Sequence, residues 1–340
     1  MTSDSLPLPA ESYYGYPALK APVWTWEVPA YFFVGGAAGA AALIGAVAQR
    51  SGAGAHLVRD ARWVAAAGAA LSPPLLISDL GRPERFLNML RVFKLQSPMS
   101  VGAWTLVAFS SAAAAAAFAD LAHRTTGGRL PVRVVADAAG VLSAATGLVL
   151  STYTGVLLGA TAIPVWSKNA RLLPLHFGAS SLGSAVSILE LMGHRDRALN
   201  RIGLGAALVE TGIAAHIEFN DSAALDALAN AQTRPLVRAA SLLSGPVPLM
   251  LRALAGRSRS ARQLAAVSTI AGAILTRVAW LSAGRSSAAT SSQAIATNSR
   301  RTTGAAAERL DASFFTASSM VDGSTLEKQS RSSDSPAGSA

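Results

Sequence analysis

The sequence contains no cysteine and few charged residues, and both absences limit what the chain can be. Without cysteine it can hold neither a disulfide nor a cysteine-ligated iron–sulfur cluster. Charged residues make up 14% of the 340 residues, whereas they make up about a quarter of a soluble domain. A soluble fold of this size would lack a polar surface. Residues 1–27 also lack the cationic start, apolar core and cleavage site of a signal peptide, so no removable leader is expected.

Apolar residues are abundant instead, and they occur in long blocks. They make up 51% of the chain, in stretches near the roughly 20 residues that an α-helix needs to cross a bilayer. We therefore predict an all-α, polytopic membrane protein in which residues 28–282 form a bundle of about eight transmembrane helices. The helices are expected at residues 28–49, 61–80, 100–121, 134–162, 173–193, 199–219, 235–254 and 262–282.

Two of the predicted helices contain proline. The seventh includes Gly245, Pro246 and Pro248, and the second includes Pro73 and Pro74. Because proline removes a backbone donor and clashes with the preceding turn, we expect a break or kink in both helices.

The two ends of the chain differ from the bundle. Residues 1–27 are expected to form an N-terminal segment outside the cytoplasm. Residues 283–340 are rich in Ser, Thr, Ala and Gly with scattered charges. This composition holds too little apolar matter to offset the entropy of ordering, so a disordered C-terminal tail is predicted.

The net charge of +10 would suggest nucleic acid in a soluble protein. Here the arginines lie between apolar blocks, where they act as topology signals, so no nucleic-acid binding is expected. Thirteen Lys and Arg residues lie in the segments 50–62, 120–133, 194–201 and 252–262, against nine in the segments 1–27, 79–99, 164–172 and 219–238. The positive-inside rule then places the first set in the cytoplasm and both termini outside.

Several motifs follow one another along the chain. They read Asp79-Leu80-Gly81-Arg82-Pro83-Glu84-Arg85-Phe86, Ser97-Pro98-Met99-Ser100-Val101-Gly102-Ala103-Trp104, Tyr153-Thr154-Gly155-Val156-Leu157-Leu158, Ile163-Pro164-Val165-Trp166, Leu173-Pro174 and Ala283-Gly284-Arg285. In this order they resemble the landmarks of the NrfD/PsrC family, the membrane-anchor subunits of polysulfide reductase, nitrite reductase and related complexes. The resemblance covers about residues 12–286.

The resemblance implies an eight-helix anchor in a bacterial cytoplasmic membrane that binds a quinone or quinol, either menaquinone or ubiquinone. Electrons would pass between this quinone and a docked iron–sulfur subunit of the ferredoxin-like 4Fe-4S type, which serves a catalytic subunit that often contains molybdopterin. The anchor itself would carry no haem and no iron–sulfur cluster. It would be a non-catalytic or quinone-reactive subunit of an oxidoreductase complex.

A quinone site needs a mainly apolar slot with hydrogen-bonding groups at the ring oxygens. Tyr153 matches by motif the helix 4 tyrosine that the family places at the quinone head. Glu27 and Tyr31 lie four residues apart at the start of helix 1 and so share a face. They are candidates by position only, because helix 1 lacks the family's Asn and His pair. The alternative role for each tyrosine is an anchor at the membrane interface.

The basic segment 79–99 is the longest patterned connection, and it lies on the side that the charge count places outside. Asp79, Arg82 and Arg85 are its candidate docking residues, because arginine forks suit carboxylates on a partner subunit. The alternative is that Asp79 and Arg82 pair with each other to brace the end of helix 2.

Ionisable groups within membrane spans are costly and suggest function. The candidates for a proton path between the cytoplasm and the quinone are Asp137, Glu190, Glu210, His216 and Glu218. Glu210 and Glu218 are about two helical turns apart and point roughly the same way. For Asp137 and Glu190, the alternative is a carboxylate paired with arginine that fixes helix packing.

Other functions stay open at this point. A haem-bearing cytochrome b type anchor needs histidine ligands inside the bundle, and only His176 and His216 lie in predicted helices, enough for one bis-histidine haem. A secondary transporter would have a midplane site between broken helices, but the two halves show no convincing internal repeat. A purely structural anchor without quinone would keep the same docking loop. No metal site is predicted in this chain.

Overall fold

The computed structural model describes residues 22–127, 130–220, 234–255 and 258–289, and in these residues the fold is all-α. The helices are α1 (Glu27–Arg50), α2 (Ala55–Asp79), α3 (Arg85–Met89), α4 (Pro98–Thr125), α5 (Leu130–Gly159), α6 (Pro164–Lys168), α7 (Leu172–Leu191), α8 (Arg197–Asn220), α9 (Arg234–Ser244), α10 (Pro246–Ala255) and α11 (Arg259–Ala289). The last helix continues past the predicted end at residue 282, so residues 283–289 are helical and do not belong to the tail. The rest of the predicted tail, residues 290–340, lies outside the described residues.

Six of the described helices are long and apolar enough to cross a membrane, namely α1, α4, α5, α7, α8 and α11. The predicted second span is α2, whose 25 residues run through Pro73 and Pro74 as one helix, so no break occurs there. Large apolar side chains such as Leu142, Leu208 and Leu254 are exposed on the bundle surface. Such a surface suits hydrocarbon as solvent, and the chain is a multi-pass membrane protein.

The predicted break in the seventh span is confirmed. Helix α9 ends at Ser244 and α10 begins at Pro246, so Gly245 separates two short helices. A Cβ at Gly245 would lie 2.8 Å from the hydroxyl of Thr211 on α8. Glycine at this position therefore lets the broken backbone pack directly against a neighbouring helix.

Helix α1 packs against α2, α5 and α7, and α4 packs against α2 and α5. Where α1 crosses α5, the two backbones touch at Gly39 and Gly147. A Cβ on Gly147 would lie 2.6 Å from the carbonyl oxygen of Gly39. Small residues permit such close approach in lipid, where van der Waals packing holds helices together.

The helices alternate in direction, which gives the bundle two distinct ends. Helices α1, α4 and α7 begin at one end, and α2, α5 and α11 finish there. We call it the loop end, because residues 80–97, named loop 80–97 below, connect α2 to α4 at this end. The other end, which carries the basic segments 50–62 and 252–262, is called the arginine end.

Candidate quinone and docking sites

Tyr153 is buried inside the bundle near the loop end. It lies on α5 roughly 9 Å before the end of that helix, at a rise of about 1.5 Å per residue, and 6% of its surface is exposed. Its ring packs against Gly102 on α4, where a Cβ would overlap the phenol ring and hydroxyl. Two motifs that are about 50 residues apart in the sequence therefore meet at one place.

Tyr31 lies near Tyr153. It is buried on α1 with 3% of its surface exposed, and its ring lies beside Gly35, which also faces Ser72 on α2. The two phenols are close enough to interact electrostatically. An interfacial anchor keeps its hydroxyl in the wet headgroup region, which does not match burial among α1, α2, α4 and α5. We call Tyr31 and Tyr153 the phenol pair.

Glu27, a candidate for the quinone site by position, makes its contact at the loop end. Its carboxylate contacts the hydroxyl of Thr25. The backbone N–H and the hydroxyl of Thr25 donate to Asp79 Oδ1 at 3.1 and 2.8 Å. Asp79 therefore braces the end of α2, but through Thr25 and not through Arg82. Glu27 belongs to this same group at the loop end.

Loop 80–97 exposes both charge and apolar surface. Arg82 and Lys94 are exposed, and Arg82 forms no ion pair within the described part of the chain. The side chain of Arg85, which begins α3, lies outside the described part. Leu87 and Leu95 are 68% and 77% exposed. A mixture of cations and large apolar side chains is typical of a surface that another protein covers.

Asp137 lies at the arginine end in a cluster of polar groups. Arg62 on α2 donates to Asp137 and to Asp120 at 3.2 Å each, and to the Gln49 side chain at 2.8 Å. One guanidinium thus joins α1, α2, α4 and α5. This geometry matches the structural alternative given for Asp137.

Glu190 forms a second cluster at the arginine end, and this cluster is buried. Arg252 on α10 donates to Glu190 Oε1 at 3.0 Å, and Arg262 on α11 donates to the same oxygen from Nε at 3.0 Å. Arg262 also donates to the carbonyl oxygens of Arg195 and Asp196 in the turn after α7. No described hydrogen bond joins Glu190 to Glu210, so a path between them stays a prediction.

Glu210 is buried in the middle of α8 and forms a hydrogen bond with a histidine. Its Oε2 lies 3.1 Å from His176 Nε2 on α7, and Trp280 Nε1 on α11 donates to His176 Nδ1 at 3.2 Å. Glu210 and Glu218 both line a cavity between α7, α8, α9 and α11. His216 is exposed on α8 and is not part of the cavity wall. The structure therefore brings two of the five proton-path candidates together.

Comparison with known proteins decides the family. A family model described as polysulfide reductase, NrfD_2, matches residues 11–291. The chain belongs to the NrfD family. It is a membrane subunit of an oxidoreductase, and such subunits work with other oxidoreductase subunits. No individual curated protein matches the chain.

Within this NrfD-family chain, both ring nitrogens of His176 take part in hydrogen bonds. An axial haem ligand must present a free ring nitrogen to iron. Ligation by His176 would replace its hydrogen bond to Glu210 or to Trp280, and the cytochrome b alternative stays untested. Among the described residues, no group of three or more His, Cys, Asp and Glu side chains lies close enough to hold a metal ion.

Sequence reasoning missed Arg277, a charge inside this NrfD-family bundle. It is fully buried on α11 and donates to the hydroxyls of Ser180 and Ser181 at 2.5 and 3.2 Å. Its guanidinium lies 5.2 Å from the centroid of the Phe177 ring. The signal was present, since Arg277 is an ionisable residue inside a predicted span.

Proposed function

We propose that the chain passes electrons between a membrane quinone and an iron–sulfur partner subunit docked at the loop end. The observation that carries this proposal is the position of the phenol pair. Tyr31 and Tyr153 are buried one to two helical turns below the loop end, where loop 80–97 presents the exposed Arg82. A quinone bound there would lie next to the partner.

The donor set at the phenol pair fits a quinone. Each phenol can donate one hydrogen bond to a ring oxygen, and each can also accept one. The surroundings are apolar, because Tyr31 belongs to a buried cluster that includes Val28, Leu106 and Phe109. A quinone site combines these two properties. When bound, the quinone would supply the two-electron chemistry, and the phenols would orient its ring and hold a hydrogen bond at its oxygen.

Electrons need an acceptor or donor beyond this chain, which contains no cysteine to ligate a cluster. We place a ferredoxin-like iron–sulfur subunit on loop 80–97, with a molybdopterin catalytic subunit beyond it. The exposed cations Arg82 and Lys94 suit carboxylates on such a partner. The exposed Leu87 and Leu95 suit its apolar contact area.

From the Lys and Arg bias, the proposal places the loop end outside the cytoplasm, in a bacterial cytoplasmic membrane, with both termini outside. Because the chain has no cysteine, single introduced cysteines report topology without background. In intact cells, Asn88→Cys should react with a membrane-impermeant thiol reagent, and Thr126→Cys should not. Both positions are exposed in the structure. Labelling therefore depends only on the side of the membrane on which each cysteine lies. Labelling at position 126 without labelling at position 88 would show that the chain has the opposite orientation.

The test of quinone binding is Tyr153→Phe, which removes one hydroxyl and keeps the ring against Gly102. Quinone-linked turnover of the assembled complex should fall about tenfold or more if the lost bond contributes ~1.5 kcal/mol in the transition state. Turnover with a dye that reduces the catalytic subunit directly should not change. Tyr31→Phe, measured beside it, shows whether the second phenol contributes.

The outcomes separate three roles for Tyr153. A loss confined to quinone-linked turnover supports the proposal. Equal losses in both assays mean that Tyr153 serves packing or assembly. Unchanged quinone-linked turnover in both Tyr153→Phe and Tyr31→Phe means that the quinone head binds elsewhere.

A further inference from the structure

A small pocket lies at the arginine end, between the turn that follows α7 and the start of α11. His194 and Arg195 line it from the turn, and Arg259, Arg262 and Gln263 line it from α11. Its volume is about 40 Å³, whereas one water needs roughly 10–15 Å³. This pocket, called the basic pocket below, therefore suits a compact polar group and not a large ring.

The buried cluster beneath the basic pocket has too little negative charge. Glu190, which also lines the pocket, is the single carboxylate that Arg252 and Arg262 share, and the three side chains are 2%, 0% and 9% exposed. The other acceptors of these guanidiniums are the Ser187 hydroxyl and two backbone carbonyls, which carry no net charge. Two buried cations with one buried anion leave an excess of one positive charge. Because buried charges are normally paired, this excess favours an anion nearby.

The neighbouring residues add positive charge and do not remove it. Residues 251–270 contain four arginines and no Asp or Glu. Arg195 and Arg259 are exposed at the pocket, and neither forms an ion pair within the described ranges. The exposed Asp196 also forms no ion pair there. The guanidiniums of Arg195 and Arg259 are thus accessible to an anion that comes from outside the chain.

The walls of the basic pocket are held in place by hydrogen bonds. Arg262 donates to the carbonyl oxygens of Arg195 and Asp196 at 2.8 and 3.3 Å, which fastens the turn to α11. His194 Nε2 lies 2.9 Å from Asp60 Oδ2, which fastens the same turn to α2. A site that is already ordered loses less entropy when a ligand binds.

We propose that the basic pocket binds the phosphate of an anionic phospholipid. Guanidiniums match phosphate oxygens in geometry and charge. The pocket lies where the spans α7 and α11 end, at the level of the headgroups. Beside it, Leu191 and Leu264 are 43% and 60% exposed, which gives the acyl chains an apolar surface to follow. These exposed leucines favour a lipid over a free phosphate.

The lipid would complete the charge balance of the arginine end. Its phosphate would supply the anion that the cluster of Glu190, Arg252 and Arg262 lacks, and so stabilise the contact of α7 with α10 and α11. The Lys and Arg bias predicts that this end faces the cytoplasm, and the cytoplasmic leaflet attracts basic segments through its anionic lipids. The site does not depend on either phenol or on a quinone.

The experiment titrates the full chain, purified in a neutral detergent, with three probes. They are short-chain phosphatidylglycerol, phosphatidylcholine with the same acyl chains, and inorganic phosphate. Phosphatidylglycerol should bind at least tenfold more tightly than either of the others, because choline adds a cation that the arginines repel and free phosphate lacks the chains. It should also raise the thermal unfolding temperature, since a ligand of the folded state stabilises it.

The double variant Arg195→Gln and Arg259→Gln should remove the preference for phosphatidylglycerol. The matched control is Arg50→Gln and Arg201→Gln, which makes the same change of charge at exposed positions of the same end, outside the pocket. This control should retain the preference. An equal loss in both double variants would mean diffuse attraction to a basic surface and would overturn the proposal.

A second variant keeps all the arginines. Gln263→Glu places a carboxylate on the exposed pocket wall, so the chain itself would supply the missing negative charge, and binding of phosphatidylglycerol should fall at least tenfold. Equal binding of the two lipids by the unaltered chain would overturn the proposal. Inorganic phosphate that binds as tightly as phosphatidylglycerol would overturn the lipid assignment and leave a site for free phosphate.

Discussion

Glu190→Gln should lower the free energy of unfolding by about 3–5 kcal/mol, the range for breaking a buried ion pair from one side. The carboxylate of Glu190 is the acceptor for two guanidiniums, and the side chains of Arg252 and Arg262 are 0% and 9% exposed. Removing its charge leaves both cations in the interior without compensation. Thermal or denaturant unfolding of the purified chain in detergent measures the change.

Asp137→Asn is the matched control at the same end of the bundle. The Asp137 side chain is 37% exposed, and Arg62 keeps Asp120 and Gln49 as acceptors. Loss of the Asp137 charge should lower the free energy of unfolding by no more than about 1 kcal/mol, as for other solvent-screened pairs. Equal and small effects of both variants would show that Glu190 does not hold the helices. A selective loss of quinone-linked proton uptake in Glu190→Gln would then favour the proton path.

Reversing two charges in loop 80–97 should release the partner subunit. In the double variant Arg82→Glu and Arg85→Glu, the loop would present carboxylates to the acidic side chains proposed on the partner. Like charges that face each other across an interface cost several kcal/mol. Most of the proposed iron–sulfur subunit should leave the membrane fraction. Co-purification of that subunit with the tagged anchor measures the effect.

The control for docking changes the same charges in a different loop at the same end. Lys168 is the last residue of α6 and Arg171 directly precedes α7, and both are exposed. Their replacement by glutamate should retain the partner, because they lie outside loop 80–97. If the complex survives the Arg82 and Arg85 reversal, or is lost in both double variants, then loop 80–97 is not the specific docking surface.

Sequence patterns predicted the parts of this fold that depend on local chemistry. Blocks of apolar residues predicted the membrane-spanning helices, because a chain in lipid must form its backbone hydrogen bonds within each helix. Gly245 and Pro246 predicted the break between α9 and α10, because proline has no backbone N–H to continue the hydrogen bonds of a helix. At Pro73 and Pro74 helix α2 continues without a break, and a kink there stays a prediction.

Contacts between distant helices could not be predicted in this way. Glu190 meets Arg252 and Arg262 across 62 and 72 residues, and helical periodicity gives the face of a helix but not the neighbour of that face. Glu27 shares a face with Tyr31, yet its contact is Thr25, a residue of the preceding segment.

The crossing of α1 and α5 at Gly39 and Gly147 has a further consequence for Tyr153. A shift of α5 along its axis by four residues, about 6 Å, would bring Ser143 or Ser151, which lie on the same face, to the place where Gly147 now meets the α1 backbone. The space there does not admit even a Cβ. The crossing therefore fixes the position of α5 along α1, and with it the height of Tyr153 relative to Tyr31. If the proposed function holds, a mutation at this contact would change the distance between the quinone and the partner without altering any group proposed to touch the quinone.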